Sequence, residues 1–151
     1  MLRGLGGGID VSVTVTLLDG LVLARSAFSH SMNYRSVVIA GNATEVVDPE
    51  SKVAAMRCLV EHVLPGRWDE VRQPSAKEIA TTLVLALPLD YMSTKMRVGP
   101  PMDGAVDRAL PVWAGEIPVA TTFGAPQADE LAAGTELPTS VLAQTAKGVR
   151  G

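Results

Sequence analysis

The chain has little cysteine, histidine or aromatic content: its 151 residues include one Cys, two His, two Trp, two Tyr and two Phe. A lone Cys58 excludes an internal disulfide. Cys58 and His62 lie one helical turn apart, but a zinc site takes about four ligands, so no metal site is expected. Long apolar runs are also missing, because Asp10, Asp19 and Arg25 interrupt the most hydrophobic stretch well short of the ~20 residues that span a bilayer. No Gly-x-Ser-x-Gly elbow occurs, which argues against hydrolase chemistry. Neither sign of charge dominates: 13 basic and 16 acidic residues are interspersed, for a net charge of −3 and a pI near 5.3. No basic face for nucleic acid is implied. The N-terminus lacks the charged-then-apolar order of a signal peptide. A soluble protein of a reducing cytoplasm fits these absences.

What is present is patterning. With 47% hydrophobic residues the chain can bury one core, and its length favours a single domain. Val11, Val13, Val15 and Leu17 alternate with Ser12, Thr14 and Thr16, the period of a strand with one buried face. Asp19-Gly20 predicts a tight hairpin turn, with Leu21 to Phe28 as the returning strand. Asn33 to Val47 reads as a third extended run with a bulge or bend at Gly41-Asn42. Asp48 can cap a helix that has Pro49 at its first position. Val53, Met56, Val60, Val63 and Leu64 then form its apolar face, while Glu50, Lys52, Arg57 and Glu61 stay polar. Pro65-Gly66 ends the helix. Ser75 and Glu78 have capping-box spacing for a second, short helix, followed by a strand near Leu83 to Leu87 and a last strand or strap over Val112 to Ile117. Beyond Phe123 small residues predominate, and residues 124–151 are expected to form a flexible tail.

Glycines at Gly4, Gly6, Gly7 and Gly8 begin like a dinucleotide fingerprint, but the sixth position is Ile9 and a strand follows, so a flexible entry turn is the better reading. His30 lies in a polar bend, where it either contacts a ligand or bonds nearby backbone. In an extended segment Tyr34 and Ser36 share one face, and Asn33 and Arg35 the other. An aromatic ring and a hydroxyl suit a planar heteroaromatic ligand. Arg35 is either a contact for a carboxylate or phosphate across a subunit boundary or a solvated strand charge.

Several segments, taken in order, resemble a known family. They are the strand Ser31-Met32-Asn33-Tyr34-Arg35-Ser36-Val37-Val38-Ile39-Ala40-Gly41, then Asp48-Pro49 with its amphipathic helix, then Pro65-Gly66-Arg67-Trp68, and finally Thr82 to Leu87. The resemblance is to the pyridoxamine-phosphate-oxidase-related, flavin-nucleotide-binding split barrels, most closely their nitroimidazole-resistance-like branch, and it covers Met1 to Pro118. It implies a mainly β (α+β) fold, an antiparallel FMN-binding split β-barrel with one main helix, in a domain of residues 1–123 that lacks the family's first strands. It further implies a homodimer with ligand sites between subunits, and an FMN-dependent reduction of a small electron-poor substrate. The alternatives are a non-catalytic flavin-binding module and an inert truncated homologue. Ser36 matches a flavin-touching position that carries glutamine in the oxidase branch; Lys95 matches a lysine of the nitroimidazole-resistance-like branch, and Trp113 a C-terminal tryptophan of the wider family. The family's phosphate-gripping basic pair matches positions upstream of Met1. Losing two charge-assisted hydrogen bonds at ~1.5–3 kcal/mol each would weaken FMN binding by orders of magnitude, so FMN is expected to bind weakly or not at all.

Overall fold

The computed structural model describes residues 8–146. Five strands, β1 (Ile9–Leu23), β2 (Ser31–Glu45), β3 (Leu85–Ala86), β4 (Tyr91–Arg97) and β5 (Gly115–Pro118), accompany three helices, α1 (Pro49–Val63), α2 (Ala76–Thr81) and α3 (Thr139–Thr145). The strands form an antiparallel sheet of order β3-β2-β1-β5, with β4 also on β2. Contacts divide the described residues into a sheet unit, 10–41 with 88–121, and a helical unit, 8–9 with 42–87 and 122–146.

In the sheet unit the expected hairpin at Asp19-Gly20 does not form. β1 runs straight through both residues, and Leu21 to Leu23 belong to it, paired with β5 from Leu21↔Ile117 to Leu23↔Gly115. Gly20 is buried, and a Cβ there would lie 3.2 Å from the Ile117 carbonyl oxygen. The glycine therefore serves close approach of the β5 backbone rather than a turn. The chain reverses later, in a 3-10 turn over Ala27–Ser29 capped by the Ser26 side chain. β4 fills a segment left without a strand in the sequence reading; its alternation of Met92, Thr94 and Met96 with Ser93, Lys95 and Arg97 is the period-two signal. Val22 and Ala24 are buried, and the buried Asn33 accepts from Arg97 Nη1 and donates to Glu116 Oε2, so one amide fastens β2 to both β4 and β5.

β2 is continuous across Gly41-Asn42, where its partner changes from β4, ending at Ala40, to β3, beginning at Thr44. The helical unit follows its caps: Asp48 accepts from the Ser51 N–H at 2.8 Å with Pro49 at the first position, and Ser75 and Glu78 form the capping box of α2. Gly66, at φ +86°, turns the chain after α1, and Glu61 receives the backbone N–H groups of Gly66 and Trp68 at 2.8 and 3.0 Å. Trp68 is buried, with 7% of its surface exposed. Lys52, expected on the polar face, is buried instead and donates from Nζ to the Thr82 carbonyl at 2.9 Å, capping the C-terminus of α2, whereas Val63 is exposed. The strand expected from Leu83 to Leu87 shrinks to β3 with a Val46 N–H to Val84 C=O bond before it.

The region from 124 onward is not a featureless tail. α3 forms within it, and its buried Ser140 donates to Glu70, which also accepts the Ser140 N–H at 2.9 Å. A composition of small residues hides this contact, because a single serine and a distant carboxylate hold the segment. Contacts group residues 122–146 with the helical unit.

Glu78 offers a pH test of this unit. Arg72 donates to its carboxylate from both Nη atoms at 2.9 Å, and the Ser75 N–H donates at 2.7 Å. The guanidinium first, then the backbone bond, lowers its pKa from 4.5 to about 2. A depressed folded-state pKa means stabilisation that is complete above pH 4.5 and is lost as the pH falls toward 2. Urea unfolding of the wild type and Glu78→Gln across that window is expected to show a shallower acid-side loss in the variant. The difference shrinks in high salt, because the pair faces solvent.

Candidate functional site

The sheet unit holds an open cavity of about 400 Å³ whose lining includes Val15, Leu17, Arg35, Val37, Thr94 and Met96. Strand alternation explains this set. Val15 and Leu17 fall on one face of β1, and Arg35 and Val37 on one face of β2, with Met96 opposite Arg35 and Thr94 opposite Val37. The apolar members are not covered: Val15, Leu17 and Met96 keep 50%, 51% and 69% of their surfaces exposed. Alternation in β1 predicts a buried face for Val15 and Leu17, and among the described residues nothing covers them.

Arg35 enters the cavity wall already engaged. Its Nε and Nη2 donate to the two carboxylate oxygens of Asp19 at 2.9 and 2.7 Å, a two-point ion pair on the solvent side. Hydrogen bonding from Arg35 holds the Asp19 carboxyl below its usual range, and the same bonds raise Arg35. Asp19, read from the sequence as a turn residue, therefore orients the guanidinium.

Ser36 and Lys95 also line the cavity and face each other in register, but alternation sends their side chains to the opposite face. There Ser36 Oγ lies 2.8 Å from Thr16 Oγ1. One of these hydroxyls donates to the other, which leaves one hydroxyl hydrogen for a ligand. The exposed Lys95 ammonium has no partner among the described residues. Tyr34 shares the Ser36 face, half-buried and opposite Arg97, outside the cavity lining.

The other candidates lie elsewhere in the unit. His30 is exposed at the end of the 3-10 turn, with Nδ1 2.9 Å from the Ser26 carbonyl oxygen. Trp113 is largely exposed, and its ring occupies the space beside Gly115, where a Cβ would come within 3.0 Å of it. The structure thus gathers Arg35, Ser36 and Lys95 and adds Thr16, Asp19, Val15, Leu17, Thr94 and Met96, which sequence reasoning had not placed in a site. The alternation of β4, once seen, points to Thr94 and Met96. Among the described residues no group of three or more metal-ligating side chains occurs, and no helix is long and apolar enough to cross a membrane.

This sheet, with two hydroxyl- and cation-bearing faces and an uncovered apolar cavity, is a split barrel. The family profile described as pyridoxamine 5'-phosphate oxidase matches residues 1–96, and the chain belongs to that family. Among solved structures, the chain is similar to the FAD and heme binding protein from Mycobacterium smegmatis, at 41% identity and a TM-score of 0.88, over 98% of this chain and 72% of that one. It is also similar to the flavocytochrome Anf3 from Azotobacter vinelandii, at 39% identity and a TM-score of 0.82, over 90% of this chain and 64% of that one. The chain therefore spans about two thirds of the length of these relatives. A search of curated proteins finds no match.

Proposed function

We propose that the chain is a flavin-binding, oxidoreductase-like module that works as a homodimer, with the flavin ring held over the cavity of the sheet unit and a second copy covering it. The observation that carries this reading is the cavity itself. Its volume of about 400 Å³ falls in the range of small-molecule sites, and its apolar walls stay half exposed in one chain. Val15, Leu17, Val37 and Met96 offer the flat apolar wall a ring system needs, Thr94 a hydroxyl, and Arg35 a positively charged edge held in place by Asp19. The unpaired Lys95 and the Thr16–Ser36 hydroxyl pair present their side chains on the opposite face of the sheet, so Arg35 and Thr94 are the polar contacts for a ring held over this wall.

The donor set fits a flavin nucleotide, and the similar solved proteins, one named for FAD and one as a flavocytochrome, favour a flavin over other ligands. FAD replaces FMN as the first flavin to test. When bound, the flavin would supply electron transfer to a small acceptor, while the protein orients it and excludes water. Titration with FAD and with FMN, followed by quenching of flavin fluorescence, tests the site. Arg35→Ala and Thr94→Val are each expected to weaken binding about 10-fold, in line with loss of one charged or polar contact of ~1.5 kcal/mol. Affinities equal to wild type in both variants would remove these residues from the site.

A second reading adds a haem to the flavin. The Mycobacterium relative is named as binding both. In this chain the exposed His30 has one ring nitrogen tied to backbone and the other directed away from that bond.

A further inference from the structure

We infer that the helical unit carries a binding site for a small organic monocarboxylate, in a cavity between the start of α1 and one face of α2, with the carboxylate held by the Lys52 ammonium. The cavity has a volume of about 200 Å³. Val47, Pro49 and Lys52 line it from the β2–α1 connection and the start of α1, and Ala76, Ile79 and Ala80 line it from α2. It shares no residue with the cavity of the sheet unit, so the inference stands apart from the flavin reading.

Lys52 distinguishes this cavity from an ordinary groove between helices. Only 7% of the residue is exposed, and a buried ammonium is costly unless its charge and its three N–H groups are met. One N–H is met, by the neutral Thr82 carbonyl oxygen at 2.9 Å. Among the described residues no second acceptor bonds it, and no carboxylate lies within ion-pair distance. The acids that start the two helices are engaged elsewhere: Asp48 accepts the Ser51 N–H and hydroxyl, and Glu78 accepts from Arg72 and the Ser75 N–H. Two N–H groups and a positive charge therefore remain for a group that enters the cavity. An anionic oxygen supplies both the acceptor and the countercharge.

The other walls define the rest of the ligand. Ala76, Ile79 and Ala80 fall at i, i+3 and i+4 on one face of α2, and with Val47 and Pro49 they offer only apolar surface. No second cation lines the cavity, which favours one carboxylate over a dicarboxylate or a phosphate. An apolar cavity of about 150 Å³ accommodates a benzene ring, so this one has room for a ring or branched chain of that size beside the carboxylate. Val47 lines the cavity yet is 75% exposed, and it marks the open side through which such a molecule enters.

The test is titration of the full chain with benzoate, followed by amide NMR shifts, with benzyl alcohol as the uncharged control of similar size. Wild type is expected to bind benzoate saturably, with the largest shifts at Lys52, Ile79 and Ala80, and to bind benzyl alcohol at least ~10-fold more weakly. Lys52→Met keeps the apolar stem; it should lose at least ~10-fold in benzoate affinity and the preference for benzoate over the alcohol. Because it also removes the bond that caps α2, Ala80→Leu is the second variant. That change fills the cavity from an exposed helical position, leaves the ammonium in place, and should weaken benzoate to a similar degree. Circular dichroism establishes which variants are folded, and if Lys52→Met is not, Ala80→Leu and the alcohol control decide. The proposal is overturned by the absence of a saturable shift in wild type, by benzyl alcohol binding as tightly as benzoate, or by wild-type benzoate affinity in either folded variant.

Discussion

Trp68→Ala is expected to lower the thermal midpoint of the helical unit by roughly 10 °C or more. Trp68 is 7% exposed and sits between the glycine turn that ends α1 and the loop leading to α2. Its backbone N–H is held by Glu61 and its carbonyl by the Gln73 amide at 2.9 Å, so the indole is fixed at both ends of its residue. Truncating a buried tryptophan costs about 3–5 kcal/mol, against a total stability of about 5–15 kcal/mol for a typical domain. Those backbone bonds survive in the alanine variant, so the loss is that of side-chain packing. Thermal unfolding followed by circular dichroism is the check. A midpoint within about 2 °C of wild type would show that the indole contributes little, since 1 kcal/mol shifts the midpoint by about 2–8 °C.

Leu17→Glu is expected to convert the proposed dimer to a monomer and to abolish the proposed flavin binding. Leu17 is half exposed in the single chain, so a glutamate there remains solvated and the monomer is expected to keep its stability within about 0.5 kcal/mol. In the dimer the same carboxylate would be taken from water onto Val15, Val37 and Met96. Placing an unpaired charge in such a contact costs several kcal/mol, which raises the dimer dissociation constant by at least ~100-fold. Thr14→Glu is the control, because it puts the charge on the opposite face of β1 at an exposed position outside the site. Sedimentation equilibrium of wild type and both variants reads the result. Leu17→Glu sedimenting as wild type would mean that this face stays open to water in the assembled protein.

The sequence reading caught elements whose signals are local. Asp48-Pro49 and the Ser75/Glu78 capping box start helices because a carboxylate or hydroxyl reaches a free N–H within three residues, and such contacts are visible in the order of residues alone. The apolar alternation of β1 was equally plain. It failed where one residue type has two uses. Asp19-Gly20 has the composition of a turn, yet Asp19 serves to hold Arg35, and Gly20 makes room for the β5 carbonyl. Both roles depend on strands distant in sequence. Lys52 was misplaced for a similar reason, since its partner is the end of a helix thirty residues away.

Ser36 and Lys95 entered through the family resemblance and Arg35 through the two-residue period of an extended strand, and all three line the cavity. Thr94 and Met96 were missed because β4 is built from methionine, serine, threonine and lysine, whose β-propensity is mixed and whose alternation shows only once a partner strand is known. Trp113, taken from the family resemblance, and His30, taken from its place in a polar bend, stand outside the cavity lining.

The most direct test of the proposed site is sedimentation of the wild-type chain with bound flavin, monitored at a flavin absorbance wavelength. The expected result is flavin moving with a species of twice the chain mass and absent from the single-chain boundary. Flavin carried at the mass of one chain, or none carried at any mass, would contradict a site that a second copy completes.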